Sequence, residues 1–217
     1  MCAFWGSSDV PMHIWRIEQT PERSFNRAWL FNVGLRLCQE GPLSCIVVHD
    51  VDLLPEPGVN YTACPVPTLV SSEAEHFNWG APYDHYAGGV FMASPEHWME
   101  VNGMSNLFWG WGGEDDELYE RFKRKGLLGD GGAVRRPVHG TGRFRKVTVG
   151  HYVKPKVSEE YDRNVALLIG MQNGRLDPAD DGLRQTAFAL QGRVETERHA
   201  CDNNSMVTVH TVRVGFV

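Results

Sequence analysis

Cys45-Ile46-Val47-Val48-His49-Asp50-Val51-Asp52 is the stretch that decides how this chain is read. Its unbroken apolar run fits a central strand buried on both faces. The run passes directly into two aspartates and stops at Pro55 and Pro57. Side chains two apart on an extended segment point the same way, so Asp50 and Asp52 are expected to converge where the strand ends. Such a pair binds a hard divalent cation together with oxygen atoms of a bound ligand. Acids that merely solvate a strand end leave the same letters, and the residues alone keep both readings open. Upstream, His13 to Ile17 alternates as a strand does. Ser24 to Leu37 then sets Phe25, Ala28, Trp29, Leu30, Val33 and Leu37 at helical spacing behind Ser24 as N-cap. Strand, helix and buried strand with acids at its carboxyl end predict an α/β sheet with its ligand at that end.

Composition frames this core. The chain has 217 residues, 42% hydrophobic and 22% charged, which suits one large domain and excludes disorder, collagen and coiled coil. A net charge of −6 argues against a nucleic-acid or anionic-membrane surface. No apolar stretch approaches the roughly 18–20 residues of a membrane span. The start, Met1 to Gly6, lacks the basic region and continuous apolar core of a signal peptide. Five cysteines (2, 38, 45, 64, 201) form no Cys-x-x-Cys pair, so a zinc ribbon or thioredoxin site has no support. Taken alone, these numbers describe a cytosolic enzyme.

Downstream, residues 65–113 are rich in Gly, Pro and aromatics. They end in Phe108-Trp109-Gly110-Trp111-Gly112-Gly113. A helix is expected from Glu114 to about Lys125. Its first turn is acidic, its last basic, and Gly126 terminates it, all in the sense that opposes the macrodipole. Residues 129–150 read as a mobile segment, and Met206 to Val217 as an edge strand. Acids in a first turn stabilise a helix without any function, but Glu114-Asp115-Asp116 is more than a cap needs. It also follows two tryptophans on a glycine-rich turn. A general base there needs reach and orientation, and Trp111 can stack on a sugar ring, whereas Trp109 reads as core. His151, without a second histidine at i+4, reads on its own as a surface or core residue. Hydrolase nucleophile, phosphate-loop and dinucleotide fingerprints are absent. Residues and spacing thus reach a metal-assisted α/β enzyme.

Several ordered segments together resemble the β-1,4-galactosyltransferase family. Phe25-Asn26-Arg27-Ala28 with Asn32-Val33-Gly34 is similar to its FNRA…NVG segment, and His49 to Pro55 to its DVD metal motif. Tyr83-Asp84-His85-Tyr86-Ala87-Gly88-Gly89-Val90 resembles its Y-x-x-Y-x-GGV segment. Asn102-Gly103 and Trp109 to Asp116 resemble its WGWGGEDD signature, and Asp162-Arg163 and Asp181-Gly182-Leu183 its DR…DGL tail. The resemblance runs over about residues 12–190.

It implies a GT-A-like nucleotide-sugar-binding sandwich with a mostly parallel central sheet lacking its first strand. One domain would comprise a donor and metal half (12–64), an acceptor and loop half (65–190) and a C-terminal strand region (191–217). It further implies an inverting transferase that uses Mn2+ to move galactose from UDP-galactose to the 4-hydroxyl of N-acetylglucosamine, glucose or xylose on a glycoconjugate. Asp52 and His151 would bind the metal. Phe25, Arg27, Asp50, Val51, Tyr86, Gly89 and Trp111 would meet the donor, with Tyr86 where the family's tyrosine favours galactose over N-acetylgalactosamine. Tyr83, Trp111, Glu114, Asp115 and Asp116 would hold the acceptor, Asp115 being the general base with Glu114 beside it. A third metal position, methionine in some members, is Thr148 here, for which His139 or water could substitute. The family's upstream Pro-Phe-Arg-x-Arg segment would precede Met1, so the chain is expected to be a piece of a longer protein. Many members carry a disulfide at the spacing of Cys45 and Cys64. That pairing implies the Golgi lumen and a type II membrane anchor outside this chain. The alternatives are an N-acetylgalactosaminyl- or glucosaminyltransferase on the same scaffold and a non-catalytic sugar-nucleotide or glycan-binding module.

Overall fold

The computed structural model describes residues 11–38, 43–147, 159–200 and 206–217. Three sheets and four helices organise them. Strand β1 (Met12–Gln19) leads to helix α1 (Arg27–Leu37), then to β2 (Ile46–His49) and β3 (Leu53–Pro55). Short strands β4 (Thr68–Leu69) and β5 (Glu73–Ala74) follow, then β6 (Val90–Ala93) and helix α2 (Pro95–Glu100). Helix α3 (Glu114–Arg124), β7 (Arg143–Lys146), α4 (Glu159–Gln172), β8 (Ala189–Leu190), β9 (Glu195–Ala200) and β10 (Met206–Gly215) complete the order.

The α/β character matches the expectation, and the pairing is more mixed than a mostly parallel sheet. β1 runs parallel to β10 from Met12↔Val207 to Gln19↔Val214, and β5 parallel to β7. The β2–β6–β4 sheet is antiparallel throughout, as are β3 with β7 and β10 with β8 and β9. Three placements correct the sequence reading. β2 is an outer strand, and the central one is β6, all four of whose residues are buried. The tail expected at an edge is β10, an interior strand between β1 and the β8 and β9 strands. Its Val212 and Val214 are buried in one cluster with Trp29, Leu30 and Val33 of α1, and His210, Thr211 and Arg213 dilute the apolar pattern that would mark that role in the sequence. Residues 143–146, inside the segment read as mobile, form β7 between β3 and β5.

Helix α1 begins at Arg27 rather than at Ser24. Asn26 is the N-cap, with its side-chain oxygen accepting from the Trp29 N–H at 2.8 Å. Ser24 instead turns its hydroxyl to Glu160. The helix is apolar on two sides because two layers cover it. Trp29, Leu30 and Val33 pack on the β1–β10 sheet, and Ala28 and Leu35 on the main core with Phe91, Trp98, Leu118 and Phe122. Cys45 and Cys64 form a disulfide with Cα atoms 5.8 Å apart, joining the start of β2 to the loop after β3. Cys38 is a free, half-buried thiol, and Cys2 and Cys201 lie outside the described residues.

Candidate active site

The site forms where α1, the turn after β2 and the start of α3 meet. Asp50-Val51-Asp52 is a turn rather than the extended segment expected, closed by Leu53 N–H donating to the Asp50 carbonyl at 3.3 Å. The two aspartates therefore take different partners. Asp50 Oδ1 accepts from Arg27 Nε at 2.7 Å, and Asp52 Oδ2 lies 3.3 Å from Lys146 Nζ. Val51, at the tip, is 91% exposed.

Arg27, on the first turn of α1, gathers the acids. Besides Asp50, its Nη1 contacts Asp115 Oδ1 at 2.6 Å and Glu114 Oε1 at 3.5 Å, and its guanidinium lies over the Phe31 ring. Burial opposes the Arg27 charge, yet Asp50, Asp115 and Glu114 raise its pKa well above the ordinary value. Burial pushes the Asp115 carboxyl up to about 7. Arg27 pulls against that shift, and the neighbouring Glu114 and Asp50 charges add to it. A carboxyl that titrates near neutrality is suited to accept a proton at working pH. Arg27 as the bridge between these acids is a role the sequence did not suggest. The available signal was one cation at a helix start behind a strand that ends in acids.

Three local devices fix the acids. Gly113, the residue before α3, takes φ +89°, a left-handed conformation that glycine adopts without strain, and a Cβ there would meet the Phe108 ring at 2.9 Å. Gly88 has no room for a side chain, because a Cβ would lie 2.2 Å from Asp115 Oδ2 and 2.5 Å from the Tyr86 hydroxyl. Gly89 next to it accepts from the Asp50 N–H at 3.0 Å. Below the site, Glu117 and Arg121 form a buried pair on α3. Arg121 also donates to the Val101, Asn102, Pro178 and Asp181 carbonyls, so the helix is tied to both flanking loops. Asp181 in turn accepts from Ser105 and Asn106, and Asn32 on α1 exchanges hydrogen bonds with Met104. These buried polar groups satisfy one another, as low-dielectric sites require.

The aromatic residues lie around this centre. Tyr83 donates to Asp116 Oδ1 at 2.8 Å and packs edge-on to Tyr86. Burial raises the pKa of both tyrosines, and the carboxylates near them add to the effect, so each stays a neutral hydroxyl. Trp111 is 37% exposed and stacks on Tyr161, while the expected core residue Trp109 is half-buried against Phe216. Asn164 donates to the Trp109 carbonyl at 2.9 Å, and the Phe25 carbonyl accepts from Gly110 at 2.8 Å, so α4 and the chain before α1 both hold this turn. The Phe25 ring is 56% exposed.

For a metal, Asp52 offers hard oxygen donors at a partly exposed turn, which fit Mn2+. Val147 N–H donates to the Asp52 carbonyl at 2.7 Å, which holds the end of β7 beside this residue. His151 and Thr148 themselves lie outside the described residues. Among the described residues no group of three or more His, Cys, Asp and Glu could hold a metal ion. His139 is turned to Glu73 Oε2 at 3.3 Å.

Known proteins are similar to this chain in sequence and fold. A family model described as the N-terminal domain of galactosyltransferase matches residues 68–151, and one described as the N-terminal region of glycosyl transferase group 7 matches residues 5–65. A Drosophila β-1,4-galactosyltransferase 7 mutant, solved in complex with manganese, UDP-Gal and xylobiose, superposes with a TM-score of 0.70 at 26% identity. It covers 98% of this chain and 84% of that one. The catalytic domain of the Drosophila enzyme with xylobiose superposes with a TM-score of 0.67. The fold is thus that of the GT-A-like galactosyltransferase catalytic domains. Human β-1,4-galactosyltransferase 3 is 33% identical over 183 residues, 83% of this chain and 44% of the relative. Pig β-1,4-galactosyltransferase 5 is 36% identical over 137 residues, 62% of this chain and 34% of the relative. The chain belongs to the β-1,4-galactosyltransferase family, and it spans less than half the length of these curated relatives.

Proposed function

We propose that this chain carries the catalytic part of an inverting, Mn2+-dependent glycosyltransferase. It would move galactose from UDP-galactose to the 4-hydroxyl of a terminal N-acetylglucosamine, glucose or xylose on a glycoconjugate. The observation that carries this reading is the Arg27 guanidinium, which draws Asp50 of the DVD turn and Asp115 of the EDD helix start to within 2.7 and 2.6 Å of itself. Donor-side and acceptor-side acids therefore share one centre.

Asp115, titrating near 7, takes the proton of the acceptor hydroxyl as its oxygen attacks the anomeric carbon from the face opposite the leaving nucleotide, which inverts the linkage to β. Glu114 and Asp116 orient the sugar, Asp116 with the help of the Tyr83 hydroxyl. Trp111 packs over the donor with Phe25, Val51 and Gly89 around it, and Tyr86 sets the preference for galactose. Asp52, with His151 as a second ligand, would hold Mn2+, which as a Lewis acid stabilises the charge on the departing diphosphate.

The solved relative determined with manganese, UDP-Gal and xylobiose supports the metal, the donor and a xylose-type acceptor. The relatives named β-1,4-galactosyltransferase 3 and 5 support the transfer itself. The Cys45–Cys64 disulfide supports an oxidising compartment, read here as the Golgi lumen. Among the described residues no helix is long and apolar enough to cross a membrane. The test is UDP release from UDP-galactose with Mn2+ and xyloside, glucose or N-acetylglucosaminide acceptors. Release with one of them is expected. Tight donor binding without release on any of the three would instead favour a binding module. Faster turnover of UDP-N-acetylgalactosamine or UDP-N-acetylglucosamine would reassign the donor.

A further inference from the structure

Strand β7 carries three cations in four residues, Arg143-Phe144-Arg145-Lys146, and the two faces of the strand separate them. Arg143 and Arg145 share a face and both engage Glu56, at 3.5 and 2.7 Å. Arg143 also lies over the Trp79 ring. Phe144 points the other way into the core and is fully buried. Lys146 follows on that same face, one step beyond the core, paired in register with Leu53. Its ammonium therefore reaches the turn before β3, 3.3 Å from Asp52 Oδ2, while its backbone N–H donates to Glu75 Oε2 at 3.3 Å.

We propose that Lys146 is a diphosphate-binding residue, whose ammonium holds the two phosphates of a nucleoside diphosphate beside Asp52. The inference rests on the donor reading above, in which the phosphates gather at Asp52. An ammonium is a compact point charge on a flexible stem, and it needs no fixed angle to meet phosphate oxygens. Lys146 and Asp52 are both partly exposed, so their pair is weak and readily exchanged for a more highly charged partner. Arg143 and Arg145, engaged by Glu56 on the opposite face, are not placed to substitute. No sequence motif marks this lysine, because its role comes from the register of β7 on β3.

The test is the affinity of the full chain for UDP, measured by calorimetry in saturating Mn2+, for wild type, Lys146→Met and Lys146→Arg. Lys146→Met is expected to weaken UDP binding about tenfold, equivalent to about 1.4 kcal/mol, and Lys146→Arg to stay within about threefold of wild type. Raising ionic strength should weaken the wild type more steeply than Lys146→Met, because a screened charge is lost. Equal affinity of Lys146→Met and wild type would overturn the proposal. Equal losses in the Met and Arg variants would also overturn it, since a merely structural position fails with both. A wild type that binds no UDP overturns the donor reading itself and this inference with it.

Discussion

Gly88→Ala tests the geometry of the site at one atom. The added methyl would sit 2.2 Å from Asp115 Oδ2, 2.6 Å from its carboxyl carbon and 2.5 Å from the Tyr86 hydroxyl. Non-bonded heavy atoms settle near 3.5 Å or somewhat less for carbon on oxygen, so the carboxylate must retreat by about 1 Å. A misplacement of about 1 Å at a reacting group costs about a hundredfold in rate, or about 2.7 kcal/mol of activation free energy. Gly88 does not occupy a left-handed backbone conformation, so the substitution adds contact strain alone. Because the carboxylate keeps an outlet toward solvent, the stability loss should lie at the low end of the roughly 1–3 kcal/mol typical of overpacking. Steady-state UDP release from UDP-galactose should then show kcat down about a hundredfold with UDP affinity nearly unchanged. Gly34→Ala is the reference. In mid-helix α1 its methyl would meet Ile17 at an ordinary 3.6 Å, so it should gain about 0.5–1 kcal/mol and leave kcat alone. A Gly88→Ala enzyme with kcat within about threefold of wild type would refute the claim that Asp115 must stand where this structure places it.

Three further outcomes are expected. Asp52→Ala should abolish Mn2+-dependent UDP binding in calorimetry, whereas Asp115→Asn should keep binding and lose turnover; loss of both by Asp115→Asn would make that residue structural. As the proposed general base, Asp115 would work ionised; with its carboxyl pushed up to about 7, turnover should climb from pH 5.5 toward 8 with its midpoint near 7, and the residual activity of Asp115→Asn should lack that limb. The Cys45–Cys64 bond closes a loop of 19 residues in sequence separation, so replacing both cysteines by alanine should cost about 3 kcal/mol. That is a melting point roughly 6–12 °C lower for a domain of this size, and mass spectrometry of native material should find both thiols protected from alkylation.

Much of this site is legible as letters because each letter answers a local demand. The acidic start and basic end of α3 oppose its dipole, so its bounds, Glu114 to Arg124, follow from charge. The glycines of the GGV and WGWGG segments match backbone turns and close approaches. What the letters conceal are partners chosen by the fold. β10 sits inside a sheet although His210, Thr211 and Arg213 dilute its pattern, because β1 and β9 supply its hydrogen bonds. β7 has one apolar residue in four, and it becomes a strand through β3, β5 and the Glu56 pairs. The aspartate turn cannot be told from an extended end until Gly89 accepts from Asp50.

In the proposed reaction the Arg27 bridge would also make the two substrates sense one another. A guanidinium offers five N–H donors in a fixed fork, and here three acids from two parts of the chain share them. A ligand that draws Asp50 or Arg27 toward itself would change what remains for Asp115, and a sugar at Asp115, where the proposal puts the acceptor, would act back on the Asp50 side by the same cation. Under the proposed function, donor and acceptor affinities would be linked rather than independent. By thermodynamic reciprocity, whatever factor one substrate imposes on the affinity of the other is returned unchanged.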